Sequence, residues 1–307
     1  MGNPDNEPKI SYSTELGMMV ESRAELALRA SIFEPYLGEV QLIFTSPPFP
    51  LNRKKSYGNL EGTDYVEWLA DFASQFKRFL KPDGSIAIEM GNSWKSGEPV
   101  MSTLGLRSLL AFLERGELEL CQQFVCQNPA RLPSPAQWVN VERIRVKDAF
   151  THIWWMSPTT RPKANNRSVL KPYSSAMRKL LKTKTYNAGT RPSEHSIGAK
   201  SFLKDNGGSI PPNVLTAANT RAYDPYIQYC KNNDISLHPA RMPDEVADFF
   251  INFLTDPGDI VLDPFAGSNV TGAVAESLDR RWVSIEVNHE YANSSKSRFS
   301  QQSMRQE

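Results

Sequence analysis

Much of what usually signals function is scarce in this sequence. Three cysteines stand among 307 residues, Cys121, Cys126 and Cys230. They have neither zinc-type spacing nor the even count of a disulfide framework. No metal site is expected, and the compartment reads as reducing and cytoplasmic. No apolar run approaches the ~20 residues of a membrane span, so no membrane association is expected. The leading MGNPDNEPKI is polar and lacks the apolar core of a signal peptide, and Asn6 stands where a myristoylated chain would carry Ser or Thr. A G-x-G-x-x-G fingerprint and a phosphate-holding P-loop lysine are both missing, which argues against a pyrophosphate-bearing ligand.

What is present is ordinary for a globular protein: 40% hydrophobic and 22% charged residues. The length suits one large α/β domain with an insertion, or two domains. The net charge of +1 hides an uneven distribution. Residues 160–221 hold 12 Lys/Arg against Glu194 and Asp205, a net +10, and the remainder of the chain carries −9. A basic block on an acidic body is how a phosphate-binding surface reads, although a solvated loop gives the same count.

Periodicity places strands at Met18–Val20, Val40–Phe44, Ser85–Met90, Phe124–Cys126, Ala149–Ser157, Asp259–Leu262 and Arg281–Glu286. Helical spacing marks Ala24–Leu37, Asp64–Leu80, Ser102–Arg115 and the run holding Val246, Phe250 and Leu254. Residues 1–16 read as a polar lead, 81–84 as a turn, 132–140 as an irregular loop, and the tail after Tyr291 as polar. About seven strands alternating with helices predict a doubly wound α/β sheet. From Pro158 to about Leu237 the composition turns to Pro, Gly, Asn, Ser and cations, which reads as a loop-rich inserted region.

Two stretches carry chemistry. TSPPF, Thr45–Phe49, follows an apolar strand that Pro47 and Pro48 must terminate, since proline cannot donate to a ladder. In an open α/β sheet, ligands sit at the carboxyl ends of the strands. There, stiff Pro-Pro backbone offers carbonyls to an amine, Ser46 adds a hydroxyl, and Phe49 adds a flat apolar face. That combination suits a planar base with an exocyclic NH2. The other stretch, DPFAGSNVTG, leads from a strand into a helix. Glu286 ends the next strand, 23 residues after Asp263. An acid there suits a grip on the ribose hydroxyls of a nucleoside.

These residues resemble a known family. FAGSNVTG with Glu286 is similar to the S-adenosyl-L-methionine (AdoMet) motif of amino-methylating DNA methyltransferases, and TSPPF resembles their catalytic motif. The catalytic motif comes first and the AdoMet motif last, as in the β group. The resemblance covers most of the chain and is closest to cytosine-N4 enzymes of the PvuII restriction–modification type. It extends through TSPPFPLNRKKSYGNLE, LPSPAQWVN, RIRVKDA, TRPSEHSIG, KDNGGSIPPN and HPARMP.

The resemblance implies a Rossmann-like seven-stranded methyltransferase fold with permuted motifs. Residues 1–157 would form the catalytic part, 158–237 a target-recognition region, and 238–307 the AdoMet-binding part. Ser46, Pro47, Pro48 and Phe49 would hold the target base. Asp263, Phe265, Ala266, Gly267 and Ser268 would cradle the methionine part of AdoMet, with Glu286 on its ribose. His238, Pro239 and Arg241 would begin the element closing over it. Arg53, Lys54, Lys55, Arg191, His195, Lys204 and Asn206 are candidate DNA contacts. Double-stranded DNA is the implied partner of a monomer or homodimer, beside a cognate endonuclease in the same system that it does not bind directly. One departure stands out: where such enzymes often carry Gly-Asp against the cofactor adenine, this chain has Glu21-Ser22. The rival readings are adenine-N6 methylation, which an acidic residue in place of Ser46 would have favoured, and a non-catalytic DNA-binding protein on the same scaffold.

Overall fold

The computed structural model describes residues 7–49, 62–186, 188–198, 202–218 and 224–299. In chain order these form β1 (Lys9–Ser13), β2 (Gly17–Glu21), α1 (Ala24–Ala27), β3 (Val40–Thr45), α2 (Gly62–Phe79), β4 (Leu80–Gly91), α3 (Leu104–Gly116), β5 (Glu119–Gln127) and β6 (Phe150–Ser157). Then follow α4 (Ser175–Thr183), β7 (Gly189–Thr190), β8 (Ser196–Ile197), β9 (Val214–Thr216), α5 (Pro225–Asn232), α6 (Asp244–Leu254), β10 (Ile260–Asp263), α7 (Val270–Ser277), β11 (Arg281–Glu286) and α8 (His289–Ser295).

Two compact units divide the chain, residues 1–164 with 213–307, and residues 165–212. The larger holds a nine-stranded sheet in the order β1-β2-β11-β10-β3-β4-β6-β5-β9. Strands β2, β11, β10, β3 and β4 run parallel. Strand β6 lies antiparallel between β4 and β5. Every residue of β3 is buried, as a strand covered on both faces requires. Ile43 packs into one core with Phe72 and Phe76 of α2 and Phe112 of α3. Leu42 and Phe44 pack into the other, with Phe250 of α6 and Val270 of α7. Burying each of these aromatic side chains is worth roughly 1.5–3 kcal/mol.

The α2 crossover leads outward from β3 on one side, and the α7 crossover leads outward from β10 on the other. Adjacent β3 and β10 therefore flank the point where strand order reverses, and such a crevice holds ligands in this architecture.

Several sequence expectations need correction. The sheet has nine strands because β1 and β9 extend its edges; β1 lies in the stretch read as a polar lead, with Tyr12 buried. Ala24–Leu37 is not one helix but α1 plus a 3-10 turn, Ser31–Tyr36, since Pro35 cannot serve a helix interior. Residues 81–84 belong to β4, which absorbs them as a register shift against β3. The 132–140 stretch carries a π-helical turn, Gln137–Val141. The tail holds α8, capped by Asn288 accepting from Tyr291 N at 3.1 Å.

The unit 165–212 is narrower than the expected insert. It contains α4, capped by Ser174, and the β7–β8 hairpin. None of its described apolar residues is fully buried. Backbone and turn bonds hold it instead: Lys171 pairs with Ser209, and Tyr173 Oη donates to Asp205 while accepting from Asn206 N at 2.8 Å.

Candidate active site

The carboxyl ends of β2, β3, β4, β10 and β11 open on one cleft of about 1380 Å³. At the end of β3, Thr45 Oγ1 donates to Asp263 Oδ1 at 2.6 Å, joining the first candidate stretch to the second. Ser46 and Pro47 follow directly on the cleft wall. The Pro47 carbonyl accepts no hydrogen bond from the described residues, as expected where Pro-Pro interrupts a ladder. Phe49 packs against Gly91 at the end of β4, so closely that a Cβ there would sit 2.8 Å from the ring. Glu89, two residues earlier, shares the cleft lining with Ser46 and accepts from Thr151 Oγ1 at 2.9 Å. Burial pushes the Glu89 carboxyl above its usual range, and the nearby Thr151 and Ser46 hydroxyls partly offset that.

Across the cleft, the loop after β10 is fixed by its own backbone. Phe265 N donates to Asp263 Oδ1 at 3.1 Å and Ala266 N to Ile285 O at 2.9 Å. Gly267 N donates to Glu286 Oε2 at 2.8 Å. Gly267 adopts φ +52, and a Cβ there would meet the His238 ring at 2.8 Å, so only glycine fits. Asn269, also left-handed at φ 54, closes the turn: its Oδ1 accepts from Gly272 N and Ser284 Oγ, and its Nδ2 donates to Tyr12 Oη. Asn is one of the few residues that tolerate this conformation while capping a helix.

Two buried carboxyls face this loop. Desolvation pushes Glu286 up to about 7 and Asp263 up to about 6. The N–H groups of Asn288 and Gly267 restrain Glu286; Thr45, Thr271 and Phe265 restrain Asp263. Each Glu286 oxygen receives one N–H, from Gly267 at one side and Asn288 at the other, and keeps a second lone pair. Asp263 is more fully occupied, since Oδ1 alone accepts two protein donors.

The remaining wall comes from His238–Arg241. The His238 ring meets Tyr291 edge-on at 4.7 Å, and Arg241 Nη1 donates to His238 O at 2.9 Å. Arg298 braces the floor: Nε donates to Ser268 O at 2.6 Å, while Nη1 pairs with Asp224. At the far end Glu21 Oε2 meets His289 Nδ1 at 2.7 Å, and Ser22 N donates to Glu286 O.

Ser46, Pro47, Pro48, Phe49, Asp263, Phe265, Ala266, Gly267, Ser268, Glu286, His238, Pro239 and Arg241 thus all line a single cleft. Sequence reasoning missed Glu89, Asn128, Arg131 and Thr151 on its lining. Glu89 had one legible signal, a lone acid at the end of the apolar strand SIAIEM. Arg53, Lys54 and Lys55 lie outside the described residues. Arg191 and His195 occupy the β7–β8 turn, where Arg191 N donates to His195 O, and Lys204 and Asn206 are exposed in the loop around Asp205. Among the described residues no cluster of His, Cys, Asp or Glu could hold a metal ion, and no helix is long and apolar enough to cross a membrane.

Fold and cleft together define a doubly wound enzyme scaffold with a nucleoside-type loop facing a Pro-Pro strand end. A family model described as DNA methylase matches residues 40–297, and the chain belongs to this family of N6/N4 DNA methylases. It is 46% identical over 294 residues to the type II methyltransferase M.PvuII of Proteus hauseri, covering 95% of this chain and 86% of that protein. A solved structure titled PvuII DNA methyltransferase (cytosine-N4-specific) superposes with a TM-score of 0.76 at 36% identity, covering 97% of this chain and 90% of that one. The M1.HpyAVI–SAM complex shares the fold at a TM-score of 0.51 and 18% identity, over 92% of this chain and 99% of that one.

Proposed function

We propose that this chain transfers a methyl group from AdoMet to the N4 amine of a cytosine flipped out of double-stranded DNA, as the modification half of a restriction–modification system. The observation that carries this reading is the meeting of Ser46-Pro47-Pro48-Phe49 with the Asp263–Ser268 loop and Glu286 in one cleft. The similarity to M.PvuII supports both the chemistry and the system.

The cleft fits the cofactor. Gly267 leaves bare backbone beside His238, and Glu286 keeps acceptor capacity for ribose hydroxyls. Phe265, Ala266, Gly267 and Ser268 would cradle the methionine part, and Asp263 acts mainly by holding that loop to Thr45. His238, Pro239 and Arg241 form the wall over it, and Glu21 takes the adenine end in place of the usual Gly-Asp. When bound, AdoMet supplies an electrophilic methyl group.

The rest falls to this chain's side chains. A cytosine amine is a poor nucleophile because its lone pair is delocalised into the ring. The Pro47 carbonyl and Ser46 Oγ accept the two amine hydrogens, which favours a tetrahedral nitrogen with its lone pair turned to the methyl. Glu89, on the same cleft lining, would take a hydrogen bond from the Ser46 hydroxyl, which turns the Ser46 lone pairs to the amine. Phe49 stacks on the base. Catalysis is then chiefly positioning, with the base out of the helix because its amine is otherwise paired.

Arg53, Lys54, Lys55, Arg191, His195, Lys204 and Asn206 hold the DNA. The chain works in the cytoplasm as a monomer or homodimer, and a companion endonuclease shares its DNA site without binding it. Calorimetry with AdoMet and transfer of labelled methyl to duplex DNA test the reading together. Binding with transfer supports it; neither would defeat it, and binding without transfer to DNA would defeat the substrate assignment.

A further inference from the structure

Between β5 and β6 the chain makes a loop, 128–149, that no role above accounts for. Its ends close at the cleft rim, where Asn128 N donates to Ala149 O at 2.8 Å and Asn128 and Arg131 line the cleft. The loop is internally braced. Ile144 N and Arg145 N both reach Trp138 O, at 3.0 and 3.2 Å, and Asp148 N donates to Ser134 O at 3.0 Å. Arg145 Nε donates to Pro99 O at 2.8 Å, and Asn92 Nδ2 to Asp148 Oδ1 at 2.7 Å.

Despite this bracing, every residue from Val141 to Lys147 is exposed. Val146 is 86% exposed, Leu132 80%, Val141 68% and Ile144 47%. Single exposed aliphatics need no explanation, but four on one braced loop mark an interaction surface. They alternate with Arg131, Arg143, Arg145 and Lys147; Arg131, Arg145 and Lys147 donate to backbone carbonyls and keep their charge, and the acids of the loop, Glu142 and Asp148, are engaged by Gln137 and Asn92. Arg143 is held at φ 57, a left-handed conformation unusual for arginine, and is exposed. Strained, exposed positions of this kind cluster at ligand contacts.

We infer that this loop is a DNA-contact element whose cations grip the phosphates beside the flipped nucleotide and whose aliphatic tip, led by Val146, fills the space that nucleotide leaves in the stack. The inference rests on reading the cleft as a base-methylating site. Cations interleaved with aliphatics match a duplex opened at one step, which offers phosphates outside and bared base faces within. Proteins that unstack DNA insert apolar side chains in this way, and phosphate contacts fix their register. The braced backbone keeps the tip in place without further ordering, and the loop rises from the cleft rim at Asn128, which is bonded to Ala149.

The test compares wild type with Val146→Gly and Arg143→Ala. AdoMet affinity serves as a control for folding. Methyl transfer is measured on a paired duplex and on one whose target cytosine is mismatched and so already loosened. Val146→Gly should slow transfer at least about tenfold on the paired duplex and much less on the mismatched one. Arg143→Ala should weaken DNA binding for all sequences and reduce the salt slope by about 1. Wild-type transfer with both variants unchanged would overturn the loop's role and leave the cleft reading standing. Equal slowing of Val146→Gly on both duplexes would overturn the wedge, and a wild type inert on both would defeat the two readings together.

Discussion

Thr45 Oγ1 donates to Asp263 Oδ1 at 2.6 Å, and this bond joins the residue before Ser46 to the residue that opens the Asp263–Ser268 loop. Both residues are almost fully buried, so neither partner can exchange the bond for water. The strand end proposed to hold the base and the loop proposed to hold the cofactor are thereby set in register. Thr45→Val keeps the shape of the side chain and removes the donor. It should lower stability by about 1–3 kcal/mol, the cost of leaving a buried acceptor short of a partner. Because it moves both halves of the cleft, it should lower both AdoMet affinity and the methylation rate. Denaturant titration and calorimetry check this; a change in rate with unaltered AdoMet affinity would show that the two halves are independent.

The second prediction concerns Glu286 and pH. Its carboxyl is pushed up to about 7 and must be ionised to accept from ribose hydroxyls. AdoMet affinity should therefore rise about tenfold between pH 6 and pH 8, following the ionised fraction, with proton release below neutrality. Calorimetry in buffers of different ionisation enthalpy reads both effects. Glu286→Ala should cost ~2 kcal/mol or more of AdoMet binding and leave DNA affinity measured without cofactor nearly unchanged. Unaltered AdoMet affinity in that variant would remove Glu286 from the site.

The same residue predicts the stability of the cofactor-free protein. Folded Glu286 and Asp263 retain protons up to about 7 and about 6, whereas the unfolded chain releases them near the ordinary carboxylate range. The folded state therefore binds more protons in that window, and their contribution to stability is lost as pH rises through it. Glu286→Gln should flatten this fall. Thermal melts at pH 5 and pH 8 compare the two proteins, and identical pH dependence would contradict the assigned shift.

How much of this was legible beforehand depended on where the signal lay. The β3 strand, the SPPF stop and the strand–loop–helix at Asp263 stood out because apolar runs end abruptly in residues with few conformational options. The pairing of β1 could not be read, since its five residues alternate too briefly to separate strand from polar lead. The compact unit 165–212 is also shorter than the stretch of loop-like composition, because residues 213–218 return to the main sheet through β9 while keeping the composition of what precedes them. Thr151 and Arg131 reach the cleft through the antiparallel return of β6 between β4 and β5, a long-range pairing that no local pattern encodes.

The basic block predicts a strong salt response. If residues 158–237 neutralise about six phosphates, the slope of log K against log[salt] should be roughly −5. Filter binding or anisotropy over a range of salt concentrations measures it. A slope near zero would show that this charge does not serve DNA.

The product depends on which atom of the base is activated. Methylation at carbon 5 of cytosine needs a thiolate to add to the ring. Burial pushes Cys126 up to about 11, as it does Cys121, which leaves both thiols protonated and unreactive. Cys230 is buried against Tyr226 and Ile227, away from the cleft lining. Activity should survive replacement of all three. Ser46→Ala should slow transfer roughly tenfold to a hundredfold, about 1.4–2.7 kcal/mol at the barrier, with little change in AdoMet affinity. Nucleoside mass spectrometry of duplex DNA incubated with the protein and AdoMet reads the outcome directly. N4-methylcytosine is the predicted product, and 5-methylcytosine or N6-methyladenine in its place would contradict the account.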